Sequence, residues 1–217
     1  MAYGIEITNQ AGKVYANPST PFMHMTKKVV ANFTGVKLGN IAEDYNTGIL
    51  SSAKFVPYAK LNKPVGFMTQ LVAVGGYWHL KVWHAGDVSV TFYFFTDTIP
   101  TSTAKWGIEF YNADGTRIYS TSTLPLQNHQ ANLDYAAGKV PSIDIKQPVA
   151  AIPQACDYWI RPIGGGRDVM FMTGTPAAVG NVLTMGAIEG AIMPSETGFS
   201  FRGFGGLTNY IYSSLYD

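Results

Sequence analysis

The chain has 217 residues, and its 15 Lys and Arg against 14 Asp and Glu give a net charge of +1. This balance excludes the strong basic excess that a nucleic-acid-binding surface needs, and the length suffices to bury a substantial core. Charged residues make up only 13% of the chain, whereas 23 Gly, 13 Tyr and 12 Phe are typical of strands and turns. So little charge indicates a surface that partly faces other protein, although an all-β domain with Ser-, Thr- and Asn-rich faces has the same composition.

Targeting signals and disulfides are not indicated. The N-terminal residues lack the basic and apolar regions of a signal peptide, and no run approaches the ~20 apolar residues that cross a bilayer. The single cysteine, Cys156, cannot form an intrachain disulfide, which is compatible with assembly in a reducing cytoplasm. We therefore expect no membrane insertion.

The first predicted element is a β-hairpin, and the chain repeats it. Residues Tyr3–Tyr15 read YGIEITNQAGKVY, and residues Trp106–Tyr119 read WGIEFYNADGTRIY. Both copies alternate apolar and polar residues up to an Asn, and a Gly follows three residues later, which suits a type I turn and a left-handed Gly. The match indicates a duplication. Because the copies differ by one residue after the turn, we expect different registers or bulges there.

The repeated motif resembles the hairpin that opens small tail-associated virion proteins of tailed bacteriophages and returns later in their chains. It covers under a fifth of this chain and is a structural element rather than a chemical signature. The residues that carry the resemblance are Tyr3, Gly4, Ile5, Glu6, Asn9 and Gly12, and in the second copy Trp106, Gly107, Ile108, Glu109, Asn112 and Gly115.

The resemblance implies a component of a bacteriophage virion, in the tail, and names no receptor or partner. We expect a non-enzymatic structural protein of the tail tip, a fibre or the host-attachment apparatus. Such a protein would contact other tail proteins, form a homo-oligomer, and reach a host-surface receptor or glycan.

Strands and loops follow in the first half of the chain. The sequence predicts a strand at Lys28–Thr34, then a loop at Val36–Gly48 with one helical turn at Ile41–Tyr45. Further strands are predicted at Ile49–Leu61 and Val65–Val74.

The densest apolar segment predicts a central hairpin. Its strands are Tyr77–His84 and Val88–Thr96, joined by Ala85–Asp87 with Gly86 at positive φ. Apolar residues occupy both faces of each strand, so we expect both faces to be covered, as in a sandwich or at a subunit contact.

The second half has a weaker pattern. Residues 122–149 read as a long connection with one helical turn at Asn132–Ala137. Later strands are predicted at Val149–Ile152, Asp157–Ile163, Asp168–Thr173 and Asn209–Tyr216. The sequence thus predicts an all-β fold, an antiparallel β-sandwich of jelly-roll or immunoglobulin-like type with long loops and little helix. We expect one domain spanning residues 1–217, the alternative being two related β halves with a boundary near 122–149.

The histidines and the Gly-rich turn are predicted to have structural roles. His79 and His84 are five residues apart and face opposite sides of one strand, and neither they nor His24 and His129 have other ligands at suitable spacing, so we expect no metal. The turn 164–167 reads Gly-Gly-Gly-Arg but leads into a strand rather than the helix of a phosphate site.

The carboxylates and the thiol also favour structural roles. Glu6 and Glu109 occupy matching positions in the two copies and invite comparison with a glycosidase pair, but nothing in the sequence brings them together. Cys156 has no partner base, so we expect a buried free thiol. We expect no catalytic residue and no cofactor.

Aromatic residues are the remaining candidates for contact with a protein or a glycan, the alternative for each being ordinary sandwich core. They are Tyr77, Trp83, Tyr93, Phe95, Tyr111, Phe199, Phe201 and Phe204. Three further functions therefore stay open beside a tail component: a carbohydrate-binding module or adhesin, a virion-associated glycan hydrolase, and a capsid decoration protein.

Overall fold

The structure is a computed structural model that describes residues 7–8, 14–16, 22–99, 108–111, 114–133, 140–163, 168–194 and 206–217. These residues form seventeen β-strands and one short 3₁₀ helix, Ser213–Leu215. Every strand pair within them is antiparallel. The predicted all-β antiparallel fold with little helix is confirmed.

The strands are β1 (Ile7–Thr8), β2 (Val14–Ala16), β3 (His24–Phe33), β4 (Glu43–Leu50), β5 (Phe55–Leu61), β6 (Phe67–Val74), β7 (Tyr77–His84), β8 (Val88–Thr96), β9 (Glu109–Tyr111), β10 (Arg117–Ser120), β11 (His129–Asn132), β12 (Ser142–Asp144), β13 (Val149–Ala151), β14 (Asp157–Ile163), β15 (Asp168–Val179), β16 (Val182–Pro194) and β17 (Leu207–Tyr212).

Two layers of sheet enclose the core. One layer is a six-stranded sheet in the order β11-β17-β13-β5-β8-β3. The three-stranded sheet β4-β7-β6 packs on its β3, β8 and β5 side, where the three strands share one aromatic and aliphatic cluster with it. The four-stranded sheet β12-β16-β15-β14 shares a second cluster with β13 and β17. Both smaller sheets therefore cover the same face of the large one.

Alternation along β8 explains why the large sheet is buried on both faces. Phe92 and Phe94 point into the cluster shared with the three-stranded sheet, whereas Tyr93 and Phe95 point to the opposite face. There the segment after β17 covers them, since the ring of Tyr216 lies 5.0 Å from that of Phe95 in an edge-to-face contact.

The carboxyl group of Asp217 fastens this covering segment. It accepts hydrogen bonds from the hydroxyl group of Tyr93 at 2.5 Å, from Lys28 at 3.0 Å and from Lys60 at 3.2 Å. Burial alone would raise the pKa of Asp217, but these three donors outweigh it and lower the pKa to about 2. The carboxylate therefore stays charged down to about pH 2.

The predicted central hairpin is wrong, although both of its strands have the predicted bounds. β7 pairs with β4 and β6, whereas β8 pairs with β3 and β5, so Ala85–Asp87 crosses from one layer to the other. Gly86 does not adopt positive φ. The hairpin in this region joins β6 to β7 through Gly75 and Gly76, whose φ values of 58° and 84° suit a two-residue type I′ turn.

Further sequence predictions need correction. The predicted loop and helical turn over Val36–Gly48 contain most of β4, whose Asp44 and Asn46 are exposed at the edge of the sheet. The predicted strand Ile49–Leu61 is interrupted at residues 51–54, so it belongs to β4 and β5. Of the predicted helical turn Asn132–Ala137, Asn132 is instead the last residue of β11, which pairs with β17, and residues 134–137 lie outside the described residues. Residues 122–149 also supply β12 to the four-stranded sheet, so strands of this connection enter both layers.

The two smaller sheets meet at a seam where the backbones almost touch. A Cβ atom at Gly66 would lie 2.0 Å from the carbonyl oxygen of Ala187, and one at Gly186 would lie 2.3 Å from that of Val65. The amide of Phe67, next to this seam, donates to the hydroxyl group of Thr175 at 3.2 Å. Only glycine allows the two sheets to lie side by side in one layer.

We expect Gly66→Ala to lower the free energy of unfolding by about 1–3 kcal/mol or more, because the new methyl group must displace backbone at the seam. Urea denaturation measures the change. Gly86→Ala is the matched control, since a Cβ there meets nothing within 4 Å, and should change the free energy by less than about 0.5 kcal/mol. Equal free energies of unfolding for the two variants would contradict the close backbone packing at Gly66.

Candidate functional site

Among the sheet faces that the core does not use, one carries two of the candidate aromatic residues and is here called the outer face. It is the side of β4-β7-β6 that points away from the six-stranded sheet. Along β7 the residues Leu80 and Val82 are buried in the core, so the alternate residues Tyr77, Lys81 and Trp83 point outward. Sequence reasoning selected Tyr77 and Trp83, and the structure places both on this face.

An apolar row crosses the outer face at one end. Tyr77 is paired with Leu50 of β4 on one side and with Val74 of β6 on the other. The three residues are 42%, 56% and 44% exposed. Directly opposed side chains on neighbouring strands lie about 5 Å apart, so the row forms a continuous apolar ledge.

Polar groups fill the middle of the outer face. The carboxylate of Asp44 is 2.8 Å from Nδ1 of His79 and 2.9 Å from the ammonium group of Lys81. Hydrogen bonds from Lys81 and His79 lower the pKa of Asp44. The carboxylate and the ammonium group therefore balance each other's charge.

Trp83 forms the other end of the outer face. Its indole N–H donates to the carbonyl oxygen of Gly39 at 2.9 Å, and Met68 is its partner on β6. The hydrogen bond holds the half-buried ring in place. Trp83 lies six positions after Tyr77, so the two aromatic residues are roughly 20 Å apart along β7.

Two other aromatic candidates are wrong as surface residues. Tyr93 and Phe95 are fully buried under the segment that ends at Asp217, so neither is available to a partner. Tyr111 is 55% exposed on β9. Phe199, Phe201 and Phe204 lie outside the described residues.

The two copies of the repeated motif form the same hairpin. Thr8 pairs with Val14 and Ile7 with Ala16, and the pairing skips Tyr15. The corresponding pairs of the second copy follow at a constant sequence offset, namely Tyr111 with Arg117 and Phe110 with Tyr119, and the pairing skips Ile118. The expectation of different registers or bulges is therefore wrong, because the structure matches Tyr15 to Ile118 rather than to Tyr119.

The structure describes three of the motif residues. Gly115 has the predicted positive φ, 83°. Glu109 accepts hydrogen bonds from Tyr111 at 2.5 Å and from Arg117 at 2.7 Å, which lower its pKa. Ile108 is exposed, and its amide donates to Thr121. The other motif residues lie outside the described ranges: Tyr3, Gly4, Ile5, Glu6, Asn9, Gly12, Trp106, Gly107 and Asn112. The prediction about Glu6 and Glu109 therefore lies outside them too.

The second hairpin rests on a buried histidine. His24 is fully buried, with its ring 6.4 Å from that of Tyr119, and its Nδ1 lies 2.6 Å from the hydroxyl oxygen of Thr123. The same hydroxyl group lies 2.9 Å from the carbonyl oxygen of Ser120, so it links His24 to the end of β10. Among the described residues Nε2 has no hydrogen-bond partner. Burial, and secondarily the charge of Arg117, lower the pKa of His24 from 6.5 to about 4.

The other groups that could react or bind an ion are buried or paired with neighbouring residues. The predicted buried thiol is confirmed at Cys156, where burial and the neighbouring Asp157 raise the pKa to about 12. An open pocket of about 490 Å³ between residues 52–53, 97–99 and 116–117 contains Asp97, which accepts from the amide of Lys54, and Arg117, which pairs with Glu109. Within the described ranges no three His, Cys, Asp or Glu side chains are placed to hold a metal ion. The turn 164–167 lies outside those ranges.

Comparison with known proteins does not add to the site. No protein-family model, no curated protein and no solved structure matches the chain. Over the part of the chain that the structure describes, no helix is long and apolar enough to span a membrane.

We expect His24 to weaken the fold in acid. Below about pH 6.5 the unfolded state takes up a proton that the folded state does not accept until about pH 4, so stability is lost as the pH falls through this window. The loss should be on the order of 3 kcal/mol. His24→Phe removes this titration, so urea denaturation between the two pH values should show a shallower decline for the variant. Parallel declines would contradict the assignment, since other titrating groups are common to both proteins.

Proposed function

We propose that the protein is a non-enzymatic structural component of a bacteriophage virion, in the tail tip, a fibre or the host-attachment apparatus. It would act through contacts with other tail proteins and copies of itself, and through contact with a host receptor. The observation that carries the proposal is the repeated hairpin. The motif that resembles phage tail proteins folds twice with the same pairing and the same skipped residue, which makes it a genuine structural unit of this chain.

The state of the titratable groups supports contact rather than catalysis. Asp44 and Glu109 are engaged by basic side chains, and Asp217 fastens the covering segment. Cys156 and His24 are buried, with pKa values shifted toward the neutral forms. A nucleophile or general base needs an accessible group whose pKa lies near the working pH, and these five groups do not meet that requirement.

The surface supports assembly. Large apolar side chains stay exposed on several strands, including Val30 on β3, Ile192 on β16 and Leu207 on β17. Exposed apolar residues on a chain with few charges are suited to burial against neighbouring subunits.

Mass spectrometry of purified virions of the phage that encodes the protein tests the proposal. We expect the protein at a stoichiometry typical of tail components, and immunogold labelling at the tail. The major capsid protein of the same particles is the control for purity and labelling. Absence from purified virions, with the protein present in the lysate, would refute the proposal. Label over the capsid would indicate a decoration protein instead, and release of reducing sugar from a polysaccharide would indicate a hydrolase.

A further inference from the structure

We propose that the outer face of the three-stranded sheet binds an uncharged, linear carbohydrate chain that lies along β7 from Tyr77 to Trp83. The chain would stack on the two aromatic residues and hydrogen-bond to the polar groups between them. This site would supply the receptor contact of the proposed function, and it rests on that function for its biological role.

The two aromatic residues are suited to sugar rings. An aromatic face is an apolar platform with a polar rim, and it packs against the C–H face of a pyranose ring while the hydroxyl groups stay solvated. Tyr77 is 42% exposed and extended on both sides by Leu50 and Val74, which widens its platform. Trp83 is held by its hydrogen bond to Gly39, so little side-chain entropy is lost when a ligand binds.

The groups between the aromatic residues are suited to hydroxyl groups. Asp44, His79 and Lys81 are joined by hydrogen bonds on the same face. Their acceptor and donor atoms are within reach of a ligand that lies along β7. Asn46 and Gln70, on the flanking strands, add exposed amide groups at the same level of the face. A carbohydrate chain offers both donors and acceptors along its length, which matches this alternation.

The charge balance argues for an uncharged ligand. Lys81 is neutralised by Asp44 at 2.9 Å, so the face lacks the clustered positive charge that would attract an anionic polysaccharide or a nucleic acid.

The same polar groups argue against a protein partner or a second copy at this face. Protein interfaces are depleted of charged residues at their centres, and here the centre holds an ion pair between two apolar ends. A protein covering the face would have to desolvate Asp44 and Lys81, whereas a hydrated carbohydrate chain would not.

The separation of the aromatic residues predicts a requirement for length. They are roughly 20 Å apart along the strand, so a single sugar ring or a disaccharide contacts only one of them. A longer chain engages both at once, and the second contact is then intramolecular, which strengthens binding without new chemistry.

An array of neutral linear oligosaccharides, probed with the purified full-length protein, tests the inference. We expect binding to at least one neutral chain. The affinity for the mono- and disaccharides of the same sugar should be lower by about tenfold or more. Tyr77→Ala and Trp83→Ala should each weaken binding about tenfold or more. Trp83→Phe keeps a ring at this position and serves as a second variant if Trp83→Ala disturbs the fold.

Tyr111→Ala is the control, because Tyr111 is also exposed, at 55%, but lies on β9 in a separate two-stranded sheet. It should bind as the wild type does. The proposal is overturned if no neutral chain binds, if only polygalacturonate or another anionic chain binds, or if Tyr111→Ala weakens binding as much as Tyr77→Ala. It is also overturned if Tyr77→Ala abolishes self-association in analytical ultracentrifugation without affecting carbohydrate binding.

The array and the virion experiment fail independently. A protein found in the tail that binds no neutral chain removes this inference and leaves the proposed function standing. A protein that binds such a chain through Tyr77 and Trp83, yet is absent from virions, keeps the binding site and removes the virion role.

Discussion

The buried ring of Phe92 connects the two layers of the sandwich. It lies on β8, and its ring is within 6.3 Å of those of Phe33 on β3, Tyr45 on β4 and Phe67 on β6. One fully buried side chain of this size contributes roughly 1.5–3 kcal/mol. The contacts reach strands of both sheets, so they fix how the three-stranded sheet lies on the large one. Because of this cluster, the large sheet covers one face of the sheet β4-β7-β6 and, among the described residues, the other face is left uncovered.

The outer face is a consequence of that core. Because Leu80 and Val82 must point toward Phe92, the alternate residues of β7 must point away from it. A shift of the strand by one residue would exchange the two sets and bury Lys81 in an aromatic cluster, which is prohibitively unfavourable. Burial on one side therefore specifies the register that presents Tyr77 and Trp83 together on the other. Side chains whose positions the core already specifies lose less conformational entropy when a ligand binds.

Periodicity predicted the strands well and their partners poorly. The bounds of β7, β8 and β14 follow from alternation and flanking turn residues, but alternation does not say which sheet a strand joins. The short connection Ala85–Asp87 suits a crossing between layers as well as a hairpin, whereas the Gly75–Gly76 pair carries a specific signal, positive φ at both positions. Reading that signal would have aligned Val74 with Tyr77 and revealed the apolar row. The burial of Tyr93 and Phe95 was not predictable locally, since residues near Asp217 cover them. β4 escaped notice because only alternate residues such as Tyr45 and Ile49 contact the core.

The two copies of the hairpin share their backbone pairing but differ in the side chains at matching positions. Both copies keep the same pairs and skip one equivalent residue, but Tyr111 and Arg117, which hold Glu109 in the second copy, correspond in sequence to Thr8 and Val14 in the first. The residues that bind Glu109 are therefore not repeated at the matching positions of the first copy, whereas the backbone pairing is. A motif of this kind indicates how a chain is built, whereas recognition depends on particular side chains at a particular place. In this protein the proposed place is the outer face, where Tyr77 and Trp83 lie on a strand held by a core that the hairpin does not form.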